Sequence, residues 1–332
     1  MALTMLIALP IGAEAASSSD GKRRPYGPNA PWNVPVEGLR LHADAQTFVD
    51  RLWSKSSADP GHFNLSFEDY TYAVYHVWDA TGLYPIEVDW KTAIDGQKIP
   101  WNPDWRAPPG SDAQIILLDP DKGIEWNLWQ VWFDNGVVRA TNGNQVPGDY
   151  WTREVGYPYS RGAGIPYLAM LVRPWEIEQG RIEHALSMVI RNTDGDTFVA
   201  PATKLEHPGR YSGGIPEGMR FALDVTDEQI EDWVDALPSE LSQTTRRAAR
   251  TIARALREYG WFITDTGDNA HLQFESVVSA GDAWTRLGLG PQRVGSRLYP
   301  RDLLDGLITP ERIRVIVPSD RYPKRLRARP EM

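Results

Sequence analysis

Residues Ile115–Asn144, IILLDPDKGIEWNLWQVWFDNGVVRATNGN, decide the fold class. Ile115 to Leu118 is a short apolar run, and Asp119-Pro120-Asp121-Lys122-Gly123 closes it with residues that favour a turn. From Ile124 to Phe133 almost every side chain is apolar or aromatic, the exceptions being Glu125, Asn127 and Gln130. Asn135-Gly136 then supplies the two residues that a tight hairpin turn requires, because both can adopt positive φ. With that pair in the loop, Phe133 faces Val138, Val131 faces Ala140, Trp129 faces Asn142 and Asn127 faces Asn144. Side chains alternate along a strand. The register therefore predicts Glu125, Asn127, Trp129, Asn142 and Asn144 on one sheet face, and Trp126, Leu128, Gln130 and Trp132 on the other. A carboxylate, several amides and an indole on one face describe a surface for sugars; the plainer alternative is an ordinary outer sheet face.

Working outward, Tyr70–Trp78, Ile86–Trp90, Ile182–Ile190 and Met219–Leu223 read as further strands. Trp261–Thr264 and Leu272–Phe274 read as a hairpin around Asp265-Thr266-Gly267-Asp268-Asn269. A short helix is expected within Leu39–Trp53, and one or two helical turns over Arg173–Gln179. One long helix is expected over about 242–259: Ala249, Ile252, Ala253 and Leu256 share a face, arginines lie opposite, and Gly260 is placed to stop it. Strands dominate, so the predicted class is mainly β, a β-sandwich or jelly-roll-like fold with that helix and short peripheral ones.

The 332-residue chain, 42% hydrophobic, is long enough for a packed core. Its organisation is read as a signal-like segment at 1–15, an irregular Pro/Gly/Asn-rich arm at 16–35, a single β-rich domain at 36–318 and a basic tail at 319–332. Leu3–Pro10 is a short apolar core and Ala13-Glu14-Ala15 a small-x-small cleavage pattern, so the expectation is export to the periplasm or the medium. That stretch is too short to span a bilayer. A net charge of −9 and a pI near 5.3 disfavour nucleic acid, anionic membranes and polyanions, although a local arginine cluster can override the mean field. The absence of cysteine excludes disulfides, thiol catalysis and cysteine metal sites.

No nucleophile elbow, phosphate loop, dinucleotide fingerprint or HExxH is present, the six histidines have no metal-ligand spacing, and no cofactor is indicated. Asn192-Thr193-Asp194-Gly195-Asp196 imitates part of a calcium loop but reads better as a hairpin turn. What remains is carboxylate or histidine acid–base chemistry, which suits glycoside cleavage.

Glu125, beside tryptophans on the expected groove face, is the candidate general acid, against the alternative of a surface strand glutamate. Asp265 is the candidate second carboxylate, or else a turn former. Asp119 and Asp121 flank Pro120, where aspartates ordinarily bond their own backbone. His184 is a candidate acid or base with Arg181 beside it to hold a charge, or a satisfied core histidine. Trp129, Asn127, Gln130, Asn142, Arg181 and Tyr167 are the candidate substrate contacts.

The segments Tyr26-Gly27-Pro28 through Pro31-Trp32-Asn33, Leu118–Asp121, Gly180–Leu186, Ile215–Gly218 and Ala255–Gly260 together resemble a family of secreted bacterial proteins, common in soil actinobacteria, to which no activity is assigned. The resemblance runs from about Pro25 to Val317 in one order, which implies one domain, and some relatives carry attached carbohydrate-binding modules, which implies extracellular glycan work. The aromatic-rich segment before Pro100 and the basic tail depart from that pattern, so substrate choice stays open. The expectation from all of this is a secreted glycoside hydrolase acting on a neutral polysaccharide, a β-linked glucan above others. The alternatives are a polysaccharide lyase, with His184 or Tyr167 as base and Arg181 neutralising a uronate, and a non-catalytic glycan-binding cell-surface protein.

Overall fold

In the computed structural model, residues 22–318 are described; the signal-like segment and the basic tail lie outside them. Of the described residues 29% are strand and 19% helix, so the fold is mainly β. In chain order the strands are β1 (Asn64–Ser66), β2 (Tyr72–His76), β3 (Gly82–Val88), β4 (Lys98–Trp101), β5 (Gln114–Asp119), β6 (Ile124–Asp134), β7 (Val137–Gln145) and β8 (Leu186–Ile190). They continue with β9 (Thr193–Phe198), β10 (Ile215–Glu217), β11 (Arg220–Leu223), β12 (Trp261–Thr266), β13 (His271–Gln273), β14 (Gln292–Val294), β15 (Arg297–Tyr299) and β16 (Ile313–Ile316). The helices are α1 (Ala45–Lys55), α2 (Pro174–Gln179), α3 (Asp227–Asp235), α4 (Gln243–Glu258), α5 (Val277–Ala280) and α6 (Ala283–Arg286). No helix among the described residues is long and apolar enough to cross a membrane.

Two six-stranded sheets carry the fold, in the orders β2-β5-β6-β7-β3-β4 and β1-β13-β8-β12-β11-β16. Asn135 and Gly136 both have positive φ, and the register they predict is the one observed: Phe133 pairs with Val138, Val131 with Ala140, Trp129 with Asn142 and Asn127 with Asn144. The face assignment changes part-way. Gln130 has φ 53°, and beyond it Val131 joins Trp126 and Leu128 in one apolar cluster while Trp132 turns to solvent. A residue off the regular pleat breaks the period of two.

Both sheets are mixed. β2 runs parallel to β5, β3 to β7, β1 to β13 and β8 to β12, so the connectivity differs from the antiparallel hairpins of a jelly roll. The hairpin expected around residues 265–269 does not form: β8 lies between β12 and β13 and pairs with both. Residues 192–196 are also no hairpin turn; from Thr193 they enter β9, which pairs with β10.

Alternating side chains define three apolar layers. On β5, Ile115 and Leu117 join one cluster while Ile116 and Leu118 join another, and all six residues of the strand are buried. On β12, Phe262 enters the cluster of Ile116 and Leu118, whereas Trp261 and Ile263 enter the core shared with the helices. The middle cluster thus draws on both sheets, and Ile165, Leu168, Met170 and Leu171 fill it from the irregular segment after β7. The N-terminal arm is stitched to both sides. Tyr26 N–H donates to Tyr150 O at 2.9 Å and Ala185 N–H to Trp32 O at 2.7 Å, with Trp32 fully buried. α4 starts at Ser242, whose side chain accepts from Thr245 N–H, and presents Ala249, Ile252, Ala253 and Leu256 to the core.

Candidate functional site

Glu125 is not on a groove. It is wholly buried, with Oε2 accepting from the Tyr26 hydroxyl at 2.6 Å and Oε1 from Asn127 Nδ2 at 2.7 Å and Leu168 N–H at 3.1 Å. Asn127 Oδ1 in turn accepts from Tyr167 N–H at 3.0 Å and from Ser160. Burial pushes the Glu125 carboxyl up, partly offset by those donors. This is an internal clamp that fastens the arm and residues 160–168 to β6. The period of two correctly grouped Glu125 with Asn127, but it does not tell which sheet face is covered.

The candidate site is a cavity of about 630 Å³ between the ends of β1, β8 and β12 and the loops at Tyr70 and Asp112. Its size is typical of a small-ligand pocket. Asp265 is the sequence candidate found there. The pairing of β12 with β8 slips between Ile263 and Asp265, and this irregularity re-aims Asp265 toward the cavity.

Beside Asp265 stands Glu206, from an irregular loop. The two carboxyls converge on one backbone donor, Thr266 N–H, which reaches Glu206 Oε2 at 2.8 Å and Asp265 Oδ1 at 3.1 Å, and each perturbs the other's proton. Gly162 makes room for the pair, since a Cβ there would collide with Asp265 Oδ1 and the Glu206 carboxyl. Burial, then the Glu206 charge and hydrogen bond, drive Asp265 well above the usual carboxylate range, with Asp112 adding to this and Arg161 opposing it. Glu206 goes the other way: burial resists its charge, but hydrogen bonds from His207, Asp265 and Thr266 outweigh that and hold it ionised. Two carboxyls that close share a proton, and here Asp265 keeps it.

A third carboxyl, Glu217, is buried behind them. Its Oε2 accepts from Glu206 N–H at 3.1 Å, its Oε1 has no partner, and burial with the Glu206 charge raises it strongly. Asp112, on the cavity wall, is raised by burial, against the Trp129 bond and with the Glu206 charge adding to it. Trp129 Nε1–H donates to Asp112 Oδ1 at 3.4 Å, and its ring lies 5.6 Å from that of Trp90, which is largely exposed. Gln130 holds this loop from the other side, giving its N–H to Asp112 O at 2.8 Å and Nε2–H to Ser111 O at 3.1 Å. A non-glycine residue at positive φ beside a polar pocket is where backbone strain commonly serves function.

Behind the acids lies Arg161, buried, donating to Tyr167 O at 2.7 Å and to Ser187 Oγ, with its guanidinium 5.0 Å over the Tyr72 ring. Tyr167 is buried against Tyr72, ring centroids 4.6 Å apart, and contacts nothing in the cavity directly. Asn142 and Asn144 clip the loop at Tyr159, donating to its carbonyl at 3.2 and 2.8 Å.

The other candidates are dispersed. Asp119 accepts from Lys122 N–H at 3.2 Å and pairs with Lys122 Nζ at 2.9 Å, a turn lock, and Asp121 is exposed in the same turn. His184 is buried with Nε2 3.0 Å from Glu176 Oε1 and Nδ1 2.8 Å from Ala185 O. Burial opposes its charge, but the Glu176 carboxylate prevails and raises it. Arg181 is exposed and pairs with Glu183 at 3.2 Å. Glu206 and Asp112 escaped sequence reasoning because they sit on irregular segments where no periodicity applies, and Glu217 because it ends β10, a strand of three residues too short to show a period; for Asp112 the hint is the turn-rich Pro108-Pro109-Gly110 before it. No family model, no curated protein and no solved structure matches the chain.

Proposed function

We propose that the protein is a carbohydrate-active hydrolase that cleaves glycosidic bonds with carboxyl groups, Asp265 acting as the general acid and Asp112 as the second carboxylate. The observation that carries this is Asp265 on the cavity wall, backed by the Glu206 carboxyl, the two meeting at Thr266 N–H. A carboxyl held well above the usual carboxylate range can deliver its proton to a leaving glycosidic oxygen, and its ionised neighbour keeps it loaded. Asp112, less perturbed, ionises first and serves the charge that develops on the sugar ring or the attacking water. Tyr70 and Tyr211 on the wall and Trp90 and Trp129 beside Asp112 supply flat apolar faces of the kind sugars stack on. The lyase alternative finds no such support, since His184, Tyr167 and Arg181 do not converge.

The middle apolar cluster shared by both sheets supports reading them as the two layers of a sandwich with the cavity at one end. The signal-like start supports a place outside the cytoplasm, secreted or periplasmic. The test is release of reducing ends from a panel of neutral and acidic polysaccharides. Wild-type protein should cleave at least one, and Asp265→Asn should lower the rate by about a hundredfold to ten-thousandfold. Wild-type protein that cleaves none of them overturns the proposal.

A further inference from the structure

Two guanidinium groups on the cavity wall have no ion-pair partner among the described residues. Arg191 follows the last residue of β8 directly, and Ile190 both pairs with Thr266 and accepts from Gly267 N–H at 2.9 Å, so Arg191 emerges beside the segment that holds Asp265. Its own N–H is anchored to Ser56 O at 2.7 Å. Arg210 comes from the loop laced to β9 by Gly209 N–H to Gly195 O at 2.9 Å, and its guanidinium lies 5.2 Å over the Tyr211 ring. Both are exposed on the cavity wall, and neither forms an ion pair with another described residue. Arg301 on the same wall, by contrast, is paired with Asp302 at 2.6 Å.

The contrast is informative because the chain has 44 acidic against 35 basic residues, and carboxylates line this very cavity at Glu68, Asp69 and Asp268. A planar guanidinium, donor on every edge, is suited to bidentate capture of a carboxylate or sulfate. A neutral glucan would leave both arginines without a partner.

We propose that Arg191 and Arg210 form a subsite for the anionic substituent of an acidic sugar, a uronate carboxylate or a sulfate ester, next to the bond that Asp265 acts on. This rests on the glycan-hydrolase reading of the cavity and replaces the neutral glucan expected from composition. Tyr211, under the Arg210 guanidinium, completes the subsite with an apolar face for the sugar ring.

The experiment is calorimetric titration of the whole protein at low salt with oligogalacturonate, oligoguluronate, a hyaluronan oligosaccharide and a sulfated carrageenan oligosaccharide, beside length-matched cello-, xylo- and malto-oligosaccharides. At least one acidic probe should bind more than tenfold more tightly than every neutral one, and whether it is a uronate or a sulfate identifies the substituent. Arg191→Gln and Arg210→Gln should each weaken it by about tenfold, and added salt should weaken it further. Asp265→Asn should still bind it. Melting temperatures equal to wild type show that the arginine variants are folded, as expected for exposed side chains without ion-pair partners. Equal affinity for neutral probes, no binding of any acidic probe, or full affinity in the Arg191→Gln/Arg210→Gln double variant overturns the subsite. Cleavage of a neutral glycan at the same rate by wild type and double variant removes the subsite and leaves the hydrolase proposal standing. Arginine-dependent binding of an acidic probe that is never cleaved does the reverse.

Discussion

Glu125 and Asp265 are both acidic residues on strands, both enclosed, and both have carboxyls raised above the usual range, yet they are in opposite situations. The two Glu125 oxygens between them accept from three neutral donors, Tyr26 on the arm, Asn127 on β6 and Leu168 after β7, so the buried group has little left to offer a ligand. Asp265 is set against a second carboxyl, Glu206, with Asp112 adding to the conflict, and borders an open cavity. Burial and a perturbed pKa are common to a structural clamp and a reactive group. Electrostatic conflict beside open space marks the second.

The comparison breaks most visibly in activity. Asp265→Asn should cost the rate loss given above while leaving stability close to wild type, because the amide replaces a carboxyl that already holds its proton and can still donate to Glu206. If instead the variant unfolds and retains its rate per folded molecule, Asp265 is the clamp. Glu125→Ala should behave in the opposite manner: it strands the Tyr26 hydroxyl, Asn127 Nδ2 and Leu168 N–H inside the protein, at a cost of about 3–5 kcal/mol in denaturant unfolding. Activity per folded molecule should persist, and a stable but inactive variant would return Glu125 to the mechanism.

How far the sequence reaches depends on what kind of order each region has. Asn135-Gly136 determines its hairpin through local backbone geometry, so four cross-strand pairs could be named in advance and were found. α4 was legible for similar reasons, from Ser242, the apolar stripe and Gly260. Which face of β6 is covered depends on residues 160–168 and on the arm, both distant in the chain, and the alternation fails at Gln130. Asp265 was singled out because it ends an apolar strand, but its partner Glu206 sits in a loop without periodicity, and the slip that aims Asp265 at the cavity arises from pairing with β8. That pairing also defeats the expected hairpin to β13.

A smaller effect concerns pH. Asp265 and Glu217 are raised, so the folded chain holds protons that the unfolded chain releases. Their stabilising contribution is complete below the unfolded carboxylate values and is lost as pH rises through the folded ones. Glu206, lowered, opposes this: its contribution is present above the unfolded value and lost as pH falls through the folded one. Glu217→Gln removes one raised group. Stability measured from about pH 4 upward should therefore decline less steeply than in wild type, by at most about 1.4 kcal/mol per pH unit. Parallel profiles for the two proteins would show that Glu217 takes no part in the conflict.

The smallest expected effect is at His207, whose Nε2 lies 3.3 Å from Glu206 Oε1 on the solvent side of the pair. His207 helps keep Glu206 ionised, and Glu206 helps keep Asp265 loaded, so the histidine acts on the cavity only at second hand. Its side chain is 41% exposed, so solvent screens most of its influence and stability should stay within about 0.5 kcal/mol of wild type in His207→Leu. The shared proton is the sensitive readout. Without the donor, both carboxyls of the pair bind protons more tightly, and the alkaline limb of the pH–rate profile should move up by less than about one unit. A downward shift would mean that Glu206 no longer holds the Asp265 proton, and the order of the two carboxyls would have to be exchanged, with Glu206 as the acid.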